Sequence, residues 1–161
     1  MFSFPENCKY VLATAPRTGA GAAVNATPVS LKNVHKLWAV CTVNTVGTSA
    51  AVALVPQTDT LVAFASAAVL TTAVRIWVNA DVATNGDQLT EATAAVNYTT
   101  VADALTKVVI FEIDPADLTA GEDCFRMSIT ALAATDFACI EYVILPRYQG
   151  RVSMQPTVIT D

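Results

Sequence analysis

"CFRMSIT", residues 124–130, alternates strictly between apolar and polar side chains. Phe125, Met127 and Ile129 fall on one side of an extended chain, and polar residues separate them. A period of two indicates a β-strand with one buried face. "TAVRIWVN" (72–79) has the same period, whereas "KVVIFEID" (107–114) is apolar on both faces, as is typical of a central strand.

The rest of the chain continues this pattern, and no ten-residue segment has a convincing helical period. Residues 36–44, 50–57 and 139–147 are further predicted strands, whereas 61–71 fits either a strand or a short helix. "DPADL" (114–118) predicts one helical turn with Asp114 as N-cap. About eight strands at this spacing predict an all-β fold, an antiparallel β-sandwich of jelly-roll type.

The two ends of the chain differ from the middle in composition. Residues 1–27 are rich in Ala, Gly, Thr and Pro without a sustained period, so we predict an extended N-terminal arm with at most a short strand at 9–14. Residues 28–147 form the predicted sandwich domain, and 148–161 a C-terminal tail that is again an extended arm. Arms of this kind would order on a neighbouring subunit.

The core of the sandwich can be predicted from the alternation. The expected core residues are apolar side chains on the inward side of each strand: Leu37, Cys41, Val43, Val74, Ile76, Val78, Ile110, Phe111, Phe125, Met127, Ile129, Ile140 and Ile144.

Composition and charge exclude several classes of protein. Only 14% of the 161 residues are charged, against about 25% in ordinary domains, which favours a subunit that buries surface in an assembly. The net charge is −5 and no basic stripe is present, so we expect no nucleic-acid partner. No apolar run approaches the ~18 residues of a membrane helix, and the start of the chain lacks a basic signal region. We therefore expect no membrane partner and synthesis in the cytoplasm.

Four cysteines lie far apart in the sequence, without a CxxC pair. Cys41, Cys124 and Cys139 fall in apolar strand-like runs, which favours buried free thiols over disulfides or metal ligands. Cys8, in the predicted arm, is expected to be the most reactive of the four.

Residues that could carry catalysis are few. His35 is the only histidine and begins a strand, away from any nucleophile motif. The densest acidic cluster lies in "FEIDPADLTAGED" (111–123), with Glu112, Asp114, Asp117, Glu122 and Asp123. Paired carboxylates serve in glycoside hydrolysis or hold Ca²⁺, but a cap and a solvated turn explain these better. We predict no enzyme activity and no catalytic residue, cofactor or metal site.

Both tryptophans fall on the strand face that also carries polar residues. Alternation places Trp38 beside Lys36, and Trp77 beside Arg75, opposite the core positions. Three alternatives account for this: coverage by the protein's own arm, a subunit interface, or, less favoured, a sugar-binding platform. Trp38, Trp77, Arg75 and Lys36 are therefore the candidate interface residues.

The order of several segments resembles a family of small virion proteins encoded near the major capsid gene of tailed bacteriophages. The resemblance rests on "VSLKNVHKLWAVCTVN", "VRIWVNADVATNGDQLT", "TKVVIFEIDPADL" and "CIEYVILPRYQG", and it spans about 29–150. It implies a structural role in the virion, as a decoration (cement) or minor head protein of the capsid, and supplies no active-site residues.

The composition also predicts assembly. We expect a homo-oligomer from the surplus of apolar and uncharged surface, the arms at both ends and the split of charge between a basic first third and an acidic middle. With the resemblance, a trimer would suit the local three-fold positions of a capsid lattice, bound to the major capsid protein. A neck or tail component of the virion, a carbohydrate-binding β-sandwich module and a β-sandwich hydrolase that uses the acidic cluster are the alternatives.

Overall fold

The structure is a computed structural model that describes residues 4–47, 50–130, 132–147 and 157–159. One short helix, α1 (Phe4–Asn7), precedes the strands. The strands are β1 (Lys9–Thr18), β2 (Val24–Asn25), β3 (Val29–Ser30), β4 (Val34–Asn44), β5 (Ala53–Asp59), β6 (Ala68–Val69), β7 (Val74–Asn79), β8 (Thr90–Ala95), β9 (Tyr98–Thr99), β10 (Thr106–Ile113), β11 (Cys124–Thr130) and β12 (Phe137–Pro146).

The strands form two antiparallel sheets packed face to face, which confirms the predicted all-β sandwich. The first sheet has the order β1-β12-β4-β10-β7-β8. The second has the order β2-β11-β5-β6, with β3 also paired to β11 and β9 to β5. When β1, β3, β6 and β12 are left out, the remaining eight strands form two four-stranded sheets, with the orders β4-β10-β7-β8 and β2-β11-β5-β9. Successive strands among these eight alternate between the sheets except at β7 and β8, which is the jelly-roll order, and β12 and β1 extend the first sheet beyond β4.

The core lies between the inward faces of the two sheets. Phe125, Met127 and Ile129 are fully buried, as the alternation in β11 predicts. Eleven of the thirteen predicted core residues are buried, and the exceptions are Val78 and Ile110, which are half-buried. Ile110 takes an outward position because Val109 and Phe111 point inward, and Val78 lies at the end of β7 beside a loop.

The prediction of an extended N-terminal arm is wrong for residues 4–27. β1 pairs with β12 from Lys9 opposite Ile144 to Thr18 opposite Phe137, with two shifts of register between these ends. β2 pairs with β11, and its Val24 is buried in the core. The sandwich therefore begins well before residue 28.

The predicted C-terminal tail lies mostly outside the described residues. Of 148–161 the structure describes only 157–159, where the Val158 carbonyl accepts a hydrogen bond from the Ser30 amide at 2.6 Å. Val158 also packs against the core, so this part of the tail contacts the sandwich at the second sheet.

Residues 61–71 are mostly a loop on the outer side of the second sheet, and only Ala68–Val69 is a strand. The Asp59 carboxylate accepts a hydrogen bond from the Ser66 amide, which is the largest cause of its lowered pKa, and another from the Thr60 amide; together they fix the loop. Phe64 adopts a left-handed backbone conformation (φ 52). The Arg126 guanidinium carbon lies over the Phe64 ring, 4.5 Å from the ring centre. The loop therefore covers part of the second sheet.

Two local predictions near the acidic segment have clear outcomes. Pro115–Asp117 is a 3₁₀ turn, and Asp114 accepts a hydrogen bond from the Ala116 amide, as expected of its N-cap. The Asp117 carboxylate accepts one in return from the Asp114 amide, which completes a capping box.

All four cysteines are free, as the spacing predicted. Cys8, however, is buried, and the half-buried thiol is Cys139. Cys139, and not Cys8, is therefore the most accessible of the four thiols, because the chain around Cys8 belongs to the fold. The expectation that Cys8 reacts first assumed an arm that the structure does not have.

Candidate functional site

The outward side of the first sheet carries a contiguous group of aromatic, apolar and charged side chains, which we call the open face. Its members retain solvent access and are Tyr10, Leu12, Lys36, Trp38, Val40, Arg75, Trp77, Ile110, Glu112, Glu141 and Val143. Tyr10 and Leu12 are 51% and 49% exposed, and both tryptophans are half-buried. The strands place these side chains on one surface because the period of two repeats in register across β1, β12, β4, β10 and β7.

Strand register brings the four sequence-predicted residues together. Trp38 on β4 lies opposite Glu112 on β10, and Glu112 lies opposite Arg75 on β7. Lys36 and Trp77 take the adjacent outward positions on β4 and β7. Residues separated by some forty positions in the sequence thus form one cluster.

Glu112 is the centre of the charged half of the open face. Its carboxylate accepts hydrogen bonds from Lys36 Nζ at 2.6 Å and from Trp38 Nε1 at 3.4 Å, and lies 3.8 Å from Arg75 Nη1. The Lys36 hydrogen bond is the largest cause of a lowered pKa for Glu112, whose side chain is only 16% exposed. The two cations and the indole therefore hold a common anion in a fixed geometry.

Arg75 extends this cluster toward the β8 edge. Its guanidinium lies over the Trp77 ring, 5.0 Å from the centroid, and its Nε donates to Glu91 Oε1 at 2.9 Å. Stacking on an indole and pairing with a carboxylate both restrict the guanidinium, so Arg75 and Trp77 present a preorganised surface.

The half of the open face nearest β1 is apolar. Tyr10 lies opposite Val143, which lies opposite Trp38, and Leu12 lies on the next outward row. The Tyr10 hydroxyl donates to Glu141 Oε1 at 2.5 Å, and this bond raises the pKa of Tyr10 to about 12. Sequence reasoning missed Tyr10 and Leu12 because it placed them in an arm, and missed Glu112 because it grouped it with the acidic loop.

The N-terminal segment is not the cover of the tryptophan face. Residues 4–27 cannot lie over the open face as an arm, because β1 and β2 are strands within the two sheets. Residues 148–156 and 160–161 of the predicted C-terminal arm lie outside the described part of the chain.

The acidic cluster of the sequence does not form one site. Asp114 and Asp117 form the capping box, Glu122 accepts a hydrogen bond from the Thr58 hydroxyl, and Asp123 pairs with Lys32 at 3.5 Å. Within the described residues, no group of three or more His, Cys, Asp or Glu side chains is arranged to hold a metal ion. Each of these carboxylates thus has a local structural partner.

Comparison with known proteins gives no relative: no protein family, no curated protein and no solved structure matches this chain. Across the described ranges, no helix has both the length and the apolar character needed to cross a membrane. The open face is accordingly the feature on which a function can be argued.

Proposed function

We propose that this chain is a non-enzymatic structural protein of a tailed-bacteriophage virion, a decoration (cement) or minor head protein that stabilises the capsid through subunit contacts. The proposal draws on the resemblance across 29–150 and on the jelly-roll fold, which viral capsid domains share with lectins. Fold analogy alone does not decide function. The open face is the observation that carries the proposal.

The composition of the open face suits a protein interface. Trp, Tyr and Arg are the residue types that contribute most at interfaces, and Trp38, Trp77, Tyr10 and Arg75 lie together here. The apolar half nearest β1 offers area for burial, and the Lys36–Glu112–Arg75 group offers directional contacts. We propose that copies of this chain and the major capsid protein are the partners, in a homo-oligomer that a capsid three-fold position would favour as a trimer.

The test is occupancy on purified virions. Particles with wild-type protein are compared with particles carrying Trp38→Ala or Trp77→Ala, and mass spectrometry gives the copy number. Truncating an interface aromatic costs ~2 kcal/mol or more, which corresponds to roughly 30-fold weaker binding. Val101→Ala is the matched control, because Val101 is 66% exposed and lies outside the open face.

The outcomes separate the alternatives. Loss of occupancy in the tryptophan variants, with wild-type thermal stability and a normal control, supports the proposal. Absence of the protein from virions contradicts it. A copy number of about a dozen or fewer, against hundreds on the head, would assign the chain to the neck or tail.

A second candidate function is favoured by one observation. Trp38 and Trp77 lie on the outward side of a sheet, as the aromatic residues of a carbohydrate-binding module would. Such a module would bind a glycan array as an isolated monomer, and both tryptophan variants would lose that binding.

A further inference from the structure

A second surface feature lies at the β7–β8 end of the sandwich, beyond the open face. The loop between these strands and the side of β9 border a cavity of ≈ 350 Å³ that is open to solvent. Its polar lining includes Asp81, Asn85, Gln88, Thr90, Glu91 and Tyr98. This volume is at the lower end of the range for small-molecule sites, and it suits a ligand of about one sugar ring.

The loop that forms one wall is fixed by its own hydrogen bonds. Asn79 is 5% exposed, its Nδ2 donates to the Asn85 carbonyl, and its Oδ1 accepts from the Asp81 amide at 3.0 Å. A hydrogen bond from the Thr84 side chain to the Asp81 carboxylate is the largest cause of its lowered pKa. The amides of Ala83 and Thr84 also donate to this carboxylate, at 3.1 and 3.3 Å. The cavity is therefore preformed.

Four polar side chains at the cavity take no part in the hydrogen bonds that fix the loop. Within the part of the chain that the structure describes, the side chains of Asn85, Gln88, Thr90 and Tyr98 make no hydrogen bond. Two amides and two hydroxyls supply both donors and acceptors, and Tyr98 adds an aromatic ring. This is a set of uncommitted neutral groups that converge on one space.

The charges at the cavity restrict the class of ligand. Among the described residues, no Lys, Arg or His lines the cavity, whereas Asp81 and Glu91 do, so an anion is disfavoured. A divalent cation is also disfavoured, because backbone amides hold Asp81 Oδ1 and Arg75 pairs with Glu91. An apolar ligand would leave the amides and hydroxyls unpaired. We propose that this cavity binds a neutral saccharide ring through Asn85, Gln88 and Tyr98, at a site separate from the open face.

The experiment uses the full chain and ligand-observed saturation-transfer NMR. The sugar probes are glucose, galactose, mannose and N-acetylglucosamine. Ca²⁺ and inorganic phosphate have no carbon-bound protons for this method to observe, so they are titrated separately by isothermal titration calorimetry as probes of the other ligand classes. We expect millimolar binding of at least one sugar, weakened about 10-fold or more by Asn85→Ala or Gln88→Ala. Both side chains are exposed, so these variants should fold normally. Tyr98→Phe keeps the ring and tests the hydroxyl alone.

Trp38→Ala is the control that separates this site from the open face. Sugar binding that survives Trp38→Ala and is lost in Asn85→Ala supports the proposal, whether or not the virion role holds. Sugar binding lost in Trp38→Ala and kept in Asn85→Ala places the ligand on the open face and overturns it. Binding of Ca²⁺ or phosphate but no sugar, or of none of the probes, also overturns it.

Discussion

Lys107 provides the sharpest test of the packing described above. It occupies an inward position of the central strand β10, and its side chain is only 2% exposed. The ammonium contacts the Asp103 carboxylate, and it lies 3.5 Å from the Thr45 hydroxyl and 3.4 Å from the Leu105 carbonyl. Three acceptors thus surround three N–H donors, which satisfies the buried cation.

The two halves of this ion pair should respond differently to substitution. Asp103→Asn leaves the ammonium buried without its anion, and breaking a buried pair in this way costs about 3–5 kcal/mol. The Asp103 side chain is 30% exposed, so water screens the pair, and we expect Asp103→Asn to lower the free energy of unfolding by about 2–3 kcal/mol. Lys107→Met removes the buried charge and fills the same volume, while Asp103 can be hydrated. We therefore expect the free energy of unfolding of Lys107→Met to lie within about 1 kcal/mol of that of the wild type.

Urea unfolding followed by tryptophan fluorescence measures both variants. A loss of about 2 kcal/mol also lowers the melting temperature by about 4–8 °C in a domain of this size. The double variant Asp103→Asn/Lys107→Met should unfold like Lys107→Met, because no buried cation remains. The reasoning fails if Lys107→Met destabilises the fold as much as Asp103→Asn does, or if Asp103→Asn has no effect.

Three further outcomes can be measured on the isolated protein. Cys139 should be the first thiol to react with a thiol reagent in the native state, ahead of the buried Cys8. Peptide mapping identifies the labelled site, and first labelling of Cys8 would contradict the placement of the N-terminal segment. Glu112 has a lowered pKa in the folded protein, so its contribution to stability is present above the ordinary glutamate pKa of 4.5 and is lost as the pH falls through the lower folded pKa. The difference in unfolding free energy between the wild type and Glu112→Gln should therefore shrink in acid. A constant difference from pH 6 to pH 3 would argue against the Lys36–Glu112 contact. Gly19→Ala should destabilise the fold by ~3 kcal/mol, since a Cβ at this position would lie 2.1 Å from the Leu132 carbonyl oxygen. Gly21→Ala should cost only ~1–2 kcal/mol, because Gly21 has a φ of +70 but open space around it. Thermal unfolding measures both variants, and equal losses would show that the close approach at Gly19 is absent.

Alternation of apolar and polar residues was sufficient to predict a strand and its buried side chains where one face of the strand is apolar and the other polar. In β11 and β7 the period of two fixed both the strands and their inward side chains. It failed in β10, where both faces are apolar. A lysine is expected at a solvent-facing position, yet pairing with β4 places Lys107 opposite the core residue Val43 and turns Ile110 outward. Local sequence could not supply that register, because it depends on a strand some sixty residues away.

The edge strand β1 was underestimated for a related reason. Its pairing with β12 shifts register between Leu12 and Thr14 and again between Thr14 and Arg17, so no single period runs through it. The candidate site was found in part because alternation gave the outward side of Trp38 and Trp77. Glu112, which joins them, was not recognised because neighbouring carboxylates in the sequence suggested a loop.

The position of β1 changes how assembly should be explained. Arms that cross between subunits gain contact area but lose backbone entropy, roughly 1–2 kcal/mol for each residue that becomes ordered. Residues 9–18 are already ordered in the first sheet, and they add Tyr10 and Leu12 to the open face. Contacts through the open face would therefore carry little ordering cost from this segment, since its strands and the Glu112 cluster are formed within one subunit. On the proposed virion role, the affinity of this protein for its neighbours would depend on the side chains of one preformed sheet surface.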